Sequence, residues 1–365
     1  MPKVIISGGG TGGHIFPAIA IADALKREHP ETEILFVGAE GKMEMERVPH
    51  AGYHIIGLPI RGIQRKLTLK NLKVPFLLLK SLWMARSIIK EFGPQVVIGV
   101  GGYASGPLLR MAAWMGIPTM VQEQNSYPGV TNRLLSKKAK KIFVAYEEMD
   151  RFFPKEKIIL AGNPIRRTSV DIEGKRAKAA EYFGLDAAKT TLFFVGGSLG
   201  ARVINQMVES LLPIAEEKDL QILWQTGGNA FFDLNDRLGR NLPSTIKMLK
   251  FIDRMDLAYA IADMVCSRAG AMSISELCVI GKPTILVPSP YVSEDHQTKN
   301  AQALTQKEAA LLLPEKQAVE EIAGLIVSLI EDPSRMKHLS ENIKAMGRPE
   351  ADVDIAHEVL KYMEA

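Results

Sequence analysis

A histidine stands where a glycine-rich loop turns into a helix. In SGGGTGGHIFPAIAIADAL (residues 7–25), Gly8, Gly10 and Gly13 follow an apolar run and His14 comes next. The glycines permit a tight backbone turn, and the exposed N–H groups of the helix start attract an anion. A dinucleotide site would also need an acidic residue closing the second strand, whereas LFVGAEG puts Glu40 past the strand end. At a helix N-terminus the macrodipole disfavours imidazolium, so His14 stays neutral near pH 7, as a general base must. A helix cap or a packed side chain explains the same residue equally well. VGGSLGARVINQ (195–206) repeats the loop with Gly196, Gly197 and Ser198. It reads either as a second diphosphate cradle, with the Ser198 hydroxyl as an added donor, or as a plain tight turn.

Two further junctions carry polar chemistry. In SRAGAMSISEL (267–277), Ser273 and Glu276 have the spacing of a capping box. An acid at such a junction can instead accept both hydroxyls of a ribose. SEDHQTKNAQAL (293–304) gathers Asp295, His296, Gln297 and Asn300 before a helix, which suits sugar hydroxyls or, again, capping. A different kind of segment is KLTLKNLKVPFLLLKSLWMARSIIK (66–90). It mixes Phe76, Leu77, Leu78, Leu79, Leu82 and Trp83 with Lys66, Lys70, Lys73, Lys80, Arg86 and Lys90. A core helix with a basic face is the plain reading; the apolar run after Pro75 is nevertheless too continuous for one buried stripe, as in a helix lying on a membrane surface.

The elements that must position these residues form two sets. KVIIS (3–7), EILFVG (33–38), VVIGVGG (96–102), PTMVQEQ (118–124) and KIFVA (141–145) alternate with helical patterns, which implies a parallel sheet in βαβ units. TLFFVGGS (191–198), QILWQTG (221–227), MVCSRAG (264–270) and PTILVPS (283–289) restart the pattern. AGNPIRRTSV (161–170) reads as the linker, because Asn163-Pro164 breaks structure. The expectation is α/β: two Rossmann-like domains with parallel sheets facing a cleft.

A chain of 365 residues with 47% hydrophobic and 24% charged residues suits two domains with large cores. Cys266 and Cys278 are its only cysteines and match no metal or redox spacing. No signal-peptide pattern opens the sequence and no apolar run reaches the roughly 18 residues of a spanning helix, so the expected compartment is the reducing cytoplasm. Residues 1–162 hold 22 Lys+Arg against 13 Asp+Glu, a net +9, and the remainder 23 against 28, a net −5. A basic first half is compatible with nucleic acid, a membrane surface or a phosphorylated substrate, and equally with a solvated face that binds nothing.

GGGTGGHIFPAIAIA, GGYASGP, EQNSYPGVTNRLL, GNPIR, GGSLGARVIN, SRAGAMSISEL and DHQTKNA occur in the order and approximate spacing of one enzyme family. Across essentially its whole length the chain resembles the bacterial peptidoglycan N-acetylglucosaminyltransferases that convert lipid I to lipid II, the MurG family. The resemblance implies the GT-B architecture, with residues 1–163 and 346–365 forming an acceptor- and membrane-facing domain and 164–345 a UDP-GlcNAc domain. It implies inverting transfer of GlcNAc from UDP-GlcNAc to the C4 hydroxyl of undecaprenyl-pyrophosphoryl-MurNAc-pentapeptide. His14 becomes the catalytic base. Arg166 and Ser198 lie near the donor phosphates, the Ile252 backbone reads uracil, and Glu276 holds the ribose. Ala271, Met272, Ser273, Ile274, Ser275 and Glu276 wrap the nucleotide, Gln297 and Asn300 meet the sugar, and Thr11, Gly12, Gly13 and Asn125 complete the site. No metal, other cofactor or nucleic acid is called for. The partners are UDP-GlcNAc, lipid I, an anionic membrane surface on the cytoplasmic face of the inner membrane, met through Phe76, Leu79, Leu82 and Trp83, and other cell-wall synthesis proteins. Rival readings are a UDP-GlcNAc 2-epimerase, an NAD-dependent oxidoreductase and a non-catalytic nucleotide-binding module.

Overall fold

The computed structural model describes residues 1–62 and 74–363. The chain divides into two compact units, residues 1–165 with 348–365 and residues 166–347. In the first unit the strands are β1 (Lys3–Ser7), β2 (Glu33–Ala39), β3 (His54–Leu58), β4 (Val96–Gly99), β5 (Thr119–Glu123), β6 (Lys141–Val144) and β7 (Ile158–Leu160). They form one sheet in the order β3-β2-β1-β4-β5-β6-β7, every pair parallel. The second unit has β8 (Thr191–Val195), β9 (Gln221–Gln225), β10 (Ile246–Leu249), β11 (Met264–Ser267), β12 (Thr284–Leu286) and β13 (Leu311–Leu312). Its order is β10-β9-β8-β11-β12-β13, again all parallel.

Parallel strands are covered by helices on both faces and so read as continuous apolar runs. Accordingly β5, β8 and β9 are buried at every residue. In each sheet the chain winds outward from a central strand, returns, and winds the other way. The reversal falls between β1 and β4 and between β8 and β11. Ligands of doubly wound sheets bind beyond the carboxyl ends of the strands at such a reversal. The loops that follow these four strands are GGGTGG, GGYASG, GGSLGA and RAGA, so the glycine junctions fall at the topological switch points.

The helix Gly12–Glu28 presents Ile15, Ala18, Ile21, Ala22 and Leu25 to the first sheet. Ile355, Ala356 and Val359 of the helix Ala351–Lys361 join that same core. Asp352, first residue of the chain's D-x-D, is buried there and accepts a bond of 3.0 Å from Arg27. Among the described residues no helix is long and apolar enough to cross a membrane.

Candidate active site

In the first unit, the loop after β1 turns at Gly10 (φ +86°) and Thr11 caps the helix with its backbone extended. His14 is the third residue of that helix. Its Nδ1 lies 3.0 Å from the Gly9 carbonyl and 3.3 Å from the Thr11 hydroxyl. A carbonyl only accepts, so Nδ1 carries the proton, and in the neutral form of the ring the lone pair then lies on Nε2. The turn after β4 crosses this loop closely. A Cβ on Gly101 (φ +101°) would stand 2.7 Å from His14 Cδ2, and one on Gly102 (φ +90°) would stand 2.5 Å from Gly9 O. Ser105 Oγ donates to the carbonyls of Ser7 and Gly101, both at 2.9 Å, and pins the two loops together. Thr11 and Gly13 are exposed; Gly12 and His14 are half-buried.

Asn125 follows β5 and is held by a residue that the motif reading passed over. Glu123, buried at the strand end, accepts from Asn125 N (3.1 Å), Asn125 Nδ2 (3.3 Å), Gly129 N (3.2 Å) and Asn132 Nδ2 (2.9 Å). Burial pushes its carboxyl up from the usual carboxylate range, and these donors pull it back. Its signal in the sequence is an acid closing the strand TMVQE, every residue of which is buried.

The second unit holds the other glycine loop. Gln225, buried at the end of β9, donates from Nε2 to Gly197 O and accepts at Oε1 from Ile252 N, each at 2.9 Å. One amide thus ties the loop to Ile252, whose N–H is committed and whose side chain is buried. Ser198 is exposed. Gly200 (φ +78°) abuts the next turn, where its Cβ would lie 2.0 Å from Thr226 O. Gly200→Ala therefore meets both a left-handed backbone and a fixed carbonyl, and it should destabilise the protein by more than about 1 kcal/mol. Thermal unfolding should show a lower Tm, by about 2–4 °C for each kcal/mol.

The helix Ala271–Ile280 corrects the capping-box reading. Gly270 occupies the cap, Ser273 is the third helical residue and Glu276 the sixth, so neither caps anything. Ala271 and Ile274 are buried, Met272, Ser273 and Ser275 are half-buried, and Ser275 Oγ bonds back to Ala271 O. Glu276 accepts 3.0 Å from the Tyr259 hydroxyl. Burial pushes the Glu276 carboxyl up, opposed by the Tyr259 bond and the Arg166 charge. Arg166 is exposed and lines a cavity of about 340 Å³ with Thr168, Ser169, Lys175, Asp253 and Arg254 among others. Beside it Arg254 and Lys175 hold the Asp256 carboxyl well below its usual range.

Gln297 and Asn300 do not precede a helix but lie inside one, His296–Thr305. Gln297 Oε1 takes the Ser289 N–H at 2.8 Å, and Asn300 is fully buried, beneath the surface rather than on it.

The helix Val74–Phe92 buries Ser81, Ala85, Ile88 and Ile89. Phe76, Leu79 and Trp83, at spacings of three and four on another face, are 75%, 64% and 72% exposed. Leu82 differs from expectation: it is half-buried, and Leu78 is exposed instead. Lys80, Arg86 and Lys90 are exposed, while Lys66, Lys70 and Lys73 lie outside the described residues. Trp114, under the Arg110 guanidinium, adds an exposed aromatic that the sequence reading did not single out.

Residues 4–144 match the glycosyltransferase family 28 N-terminal domain and residues 191–355 the glycosyltransferase family 28 C-terminal domain. The chain belongs to glycosyltransferase family 28. Over 363 residues it is 53% identical to the UDP-N-acetylglucosamine–N-acetylmuramyl-(pentapeptide) pyrophosphoryl-undecaprenol N-acetylglucosamine transferase of Flavobacterium psychrophilum, covering 100% of this chain and 98% of that one. The protein of the same description from Bacteroides thetaiotaomicron is 51% identical over 366 residues, with 100% and 98% covered. Among solved structures, MurG of Acinetobacter baumannii superposes with a TM-score of 0.80 at 27% identity, covering 99% of this chain and 100% of that one. A UDP-GlcNAc 2-epimerase of Neisseria meningitidis reaches 0.71 at 15% identity, with 99% and 100% covered, and shares the fold alone. Two parallel-sheet units with such neighbours give the GT-B fold class expected from the sequence.

Proposed function

We propose that this chain transfers GlcNAc from UDP-GlcNAc to the C4 hydroxyl of lipid I, yielding lipid II and UDP with inversion at the anomeric carbon. The observation that carries this is identity of 50–53% along essentially the full length to family 28 enzymes described as that transferase. The test is UDP release from UDP-GlcNAc with and without a lipid I analogue. Release that requires the analogue supports transfer; turnover of UDP-GlcNAc with no acceptor overturns it in favour of epimerase-type chemistry.

The mechanism follows from what a single displacement needs. As the acceptor oxygen attacks the anomeric carbon it loses its proton, and the bond to UDP breaks with its electron pair leaving on the diphosphate. In this reading His14 Nε2 takes the proton, and the Nδ1 bonds to Gly9 and Thr11 hold the ring in the tautomer that can do so. Thr11, Gly12, Gly13 and Asn125 belong to the UDP-GlcNAc contacts, and the first glycine loop also faces the lipid-linked pyrophosphate. The second unit takes the donor. The Ser198 hydroxyl and the Arg166 guanidinium meet the leaving diphosphate, the Ile252 backbone reads the base through the carbonyl that Gln225 leaves unclaimed, and Glu276 accepts from the ribose. Ala271, Met272, Ser273, Ile274, Ser275, Gln297 and Asn300 fall within the nucleotide and sugar contacts.

The acceptor's undecaprenyl tail stays in the bilayer, so the enzyme docks peripherally on the cytoplasmic face of the inner membrane. Phe76, Leu79 and Trp83 form the apolar wedge and Lys80, Arg86 and Lys90 its basic margin. Apolar insertion is shallow, and each basic residue near an anionic surface contributes about 1 kcal/mol. Binding to anionic vesicles should therefore weaken with salt, and neutral vesicles should bind poorly at any salt. Leu79→Ser with Trp83→Ser should impair activity on membrane-embedded lipid I and spare a short-chain soluble acceptor. Vesicle binding that ignores both lipid charge and these substitutions moves docking elsewhere.

A further inference from the structure

Glu44 is fully buried, 0% exposed, in a short helix after β2. Its carboxylate is received by space that two glycines on separate elements leave. A Cβ on Gly9 would lie 2.0 Å from Glu44 Oε1, and one on Gly38 would lie 2.6 Å from its Cγ. Oε1 accepts the Ala39 N–H at 3.0 Å and Oε2 the Gly10 N–H at 2.9 Å. The Gly10 N–H belongs to the same peptide group as the Gly9 carbonyl, and that carbonyl receives His14 Nδ1 at 3.0 Å. A trans peptide points its N–H and C=O in opposite directions. The carboxylate therefore stands on one side of the Gly9–Gly10 peptide and the imidazole on the other.

We infer that Glu44 is a positioning residue for His14 and acts through the Gly9–Gly10 peptide group. A carboxylate beside a histidine fixes its tautomer and raises its basicity. Here the same influence is relayed. A negative charge on the N–H side polarises the peptide, its carbonyl becomes a stronger acceptor for Nδ1–H, and Nε2 becomes the more basic nitrogen. The loop is thereby committed differently from a phosphate cradle at this point, since the Gly10 N–H is turned inward to an anion of the protein's own. Among the described residues, the ionic side chains on the helices packed here include Glu46, Arg47, His50 and Asp354, which are exposed, and Glu358, which pairs with Lys141 and Lys361. Asp23 takes the Tyr53 hydroxyl, Arg27 pairs with Asp352, Lys26 meets Pro30 O, Glu28 meets His357, and Lys3 pairs with Glu33. Glu40 and His54 are exposed.

The inference rests on the reading of His14 as the base, and the test separates the two. His14 is followed by nitrogen NMR in the full-length protein, with no substrate present, alongside pH profiles of turnover. The wild type should show the Nδ1–H tautomer. Glu44→Gln keeps the shape, removes the charge and sets an amide N–H against one of the two backbone donors. In it the His14 titration midpoint should fall by about one pH unit, corresponding to a tenfold change in proton affinity. The acidic limb of kcat/KM should move down in parallel, and kcat should drop about tenfold with the KM for UDP-GlcNAc unchanged. An Nε2–H tautomer in the wild type, or an unaltered His14 titration in folded Glu44→Gln, overturns the relay. Should Glu44→Gln not fold, the wild type decides alone: the Glu44 carboxyl carbon resonance tracks the His14 titration if the relay operates and ignores it if not. Normal turnover in a His14→Ala variant would instead dismiss the base and leave the NMR result standing.

Discussion

His14→Ala should bind UDP-GlcNAc as the wild type does and turn it over about 10²–10⁴-fold more slowly, the usual contribution of a general base. The separation of the two effects follows from position. His14 belongs to the first unit, in the third place of the Gly12–Glu28 helix, whereas the residues nominated for the nucleotide other than Thr11, Gly12, Gly13 and Asn125 belong to the second. Loss confined to kcat marks an interaction made in the transition state. Donor titration by calorimetry beside steady-state UDP release measures both quantities, and near-normal turnover removes His14 from the mechanism. The hydrogen bond from Nδ1 to Gly9 also makes His14→Asn a poor substitute. An asparagine side chain could satisfy the carbonyl but offers no basic nitrogen.

Glu276→Gln should weaken UDP-GlcNAc binding by about 10–100-fold, the range expected when a hydrogen-bonded charge is removed from a partly buried site. The competing explanation, helix capping, predicted intact affinity with a small loss of stability. Because Gly270 is the cap, that explanation has no geometric basis here. The 2′-deoxy donor supplies an internal control. It should bind worse than UDP-GlcNAc to the wild type and about equally to the variant. pH adds an independent signature. Burial lifts the Glu276 carboxyl above its ordinary range, so it protonates earlier on acidification than a solvated glutamate, and the protonated form accepts less well. Donor affinity should therefore begin to fall at a higher pH than an exposed carboxylate would dictate, and Glu276→Gln should flatten that dependence. Affinity indifferent to both the substitution and pH would take Glu276 out of the ribose site.

How much of this was legible in the sequence depended on burial. The nine strands read from apolar runs are the inner strands of the two sheets, from β2 to β6 across the first and from β9 to β12 across the second. The four that were not read, β3, β7, β10 and β13, are the sheet edges. An edge strand has a neighbour on one side only. HIIGL alternates exposed with half-buried residues over most of its length, and LL is two residues long, so neither leaves a long apolar run. The glycine junctions were legible because φ values such as +86° at Gly10 and +78° at Gly200 restrict the residue type. Glu44, Glu123, Gln225 and Tyr259 were not nominated. Each sits in a buried place and touches a nominated loop or residue from behind, and nothing in local spacing announces such a contact. Asn300 shows the converse: a polar residue beside other polar residues reads as surface, yet the helix turns it into the interior.

The first unit is assembled from both ends of the chain, whereas the second is continuous from Arg166 to Gly347. During synthesis the ribosome therefore releases everything the second unit needs before it releases the helix Ala351–Lys361. Domains fold as units as they emerge. The unit that begins first must finish last, with the core around Ile15, Ile21 and Leu25 open until Ile355, Ala356 and Val359 arrive. A chain ended after residue 347 and released from the ribosome should protect the second unit from protease while leaving the first susceptible. The vulnerable interval of this protein's biogenesis thus belongs to the unit that carries His14, and a stop codon just after residue 347 damages the unit made before the one it follows.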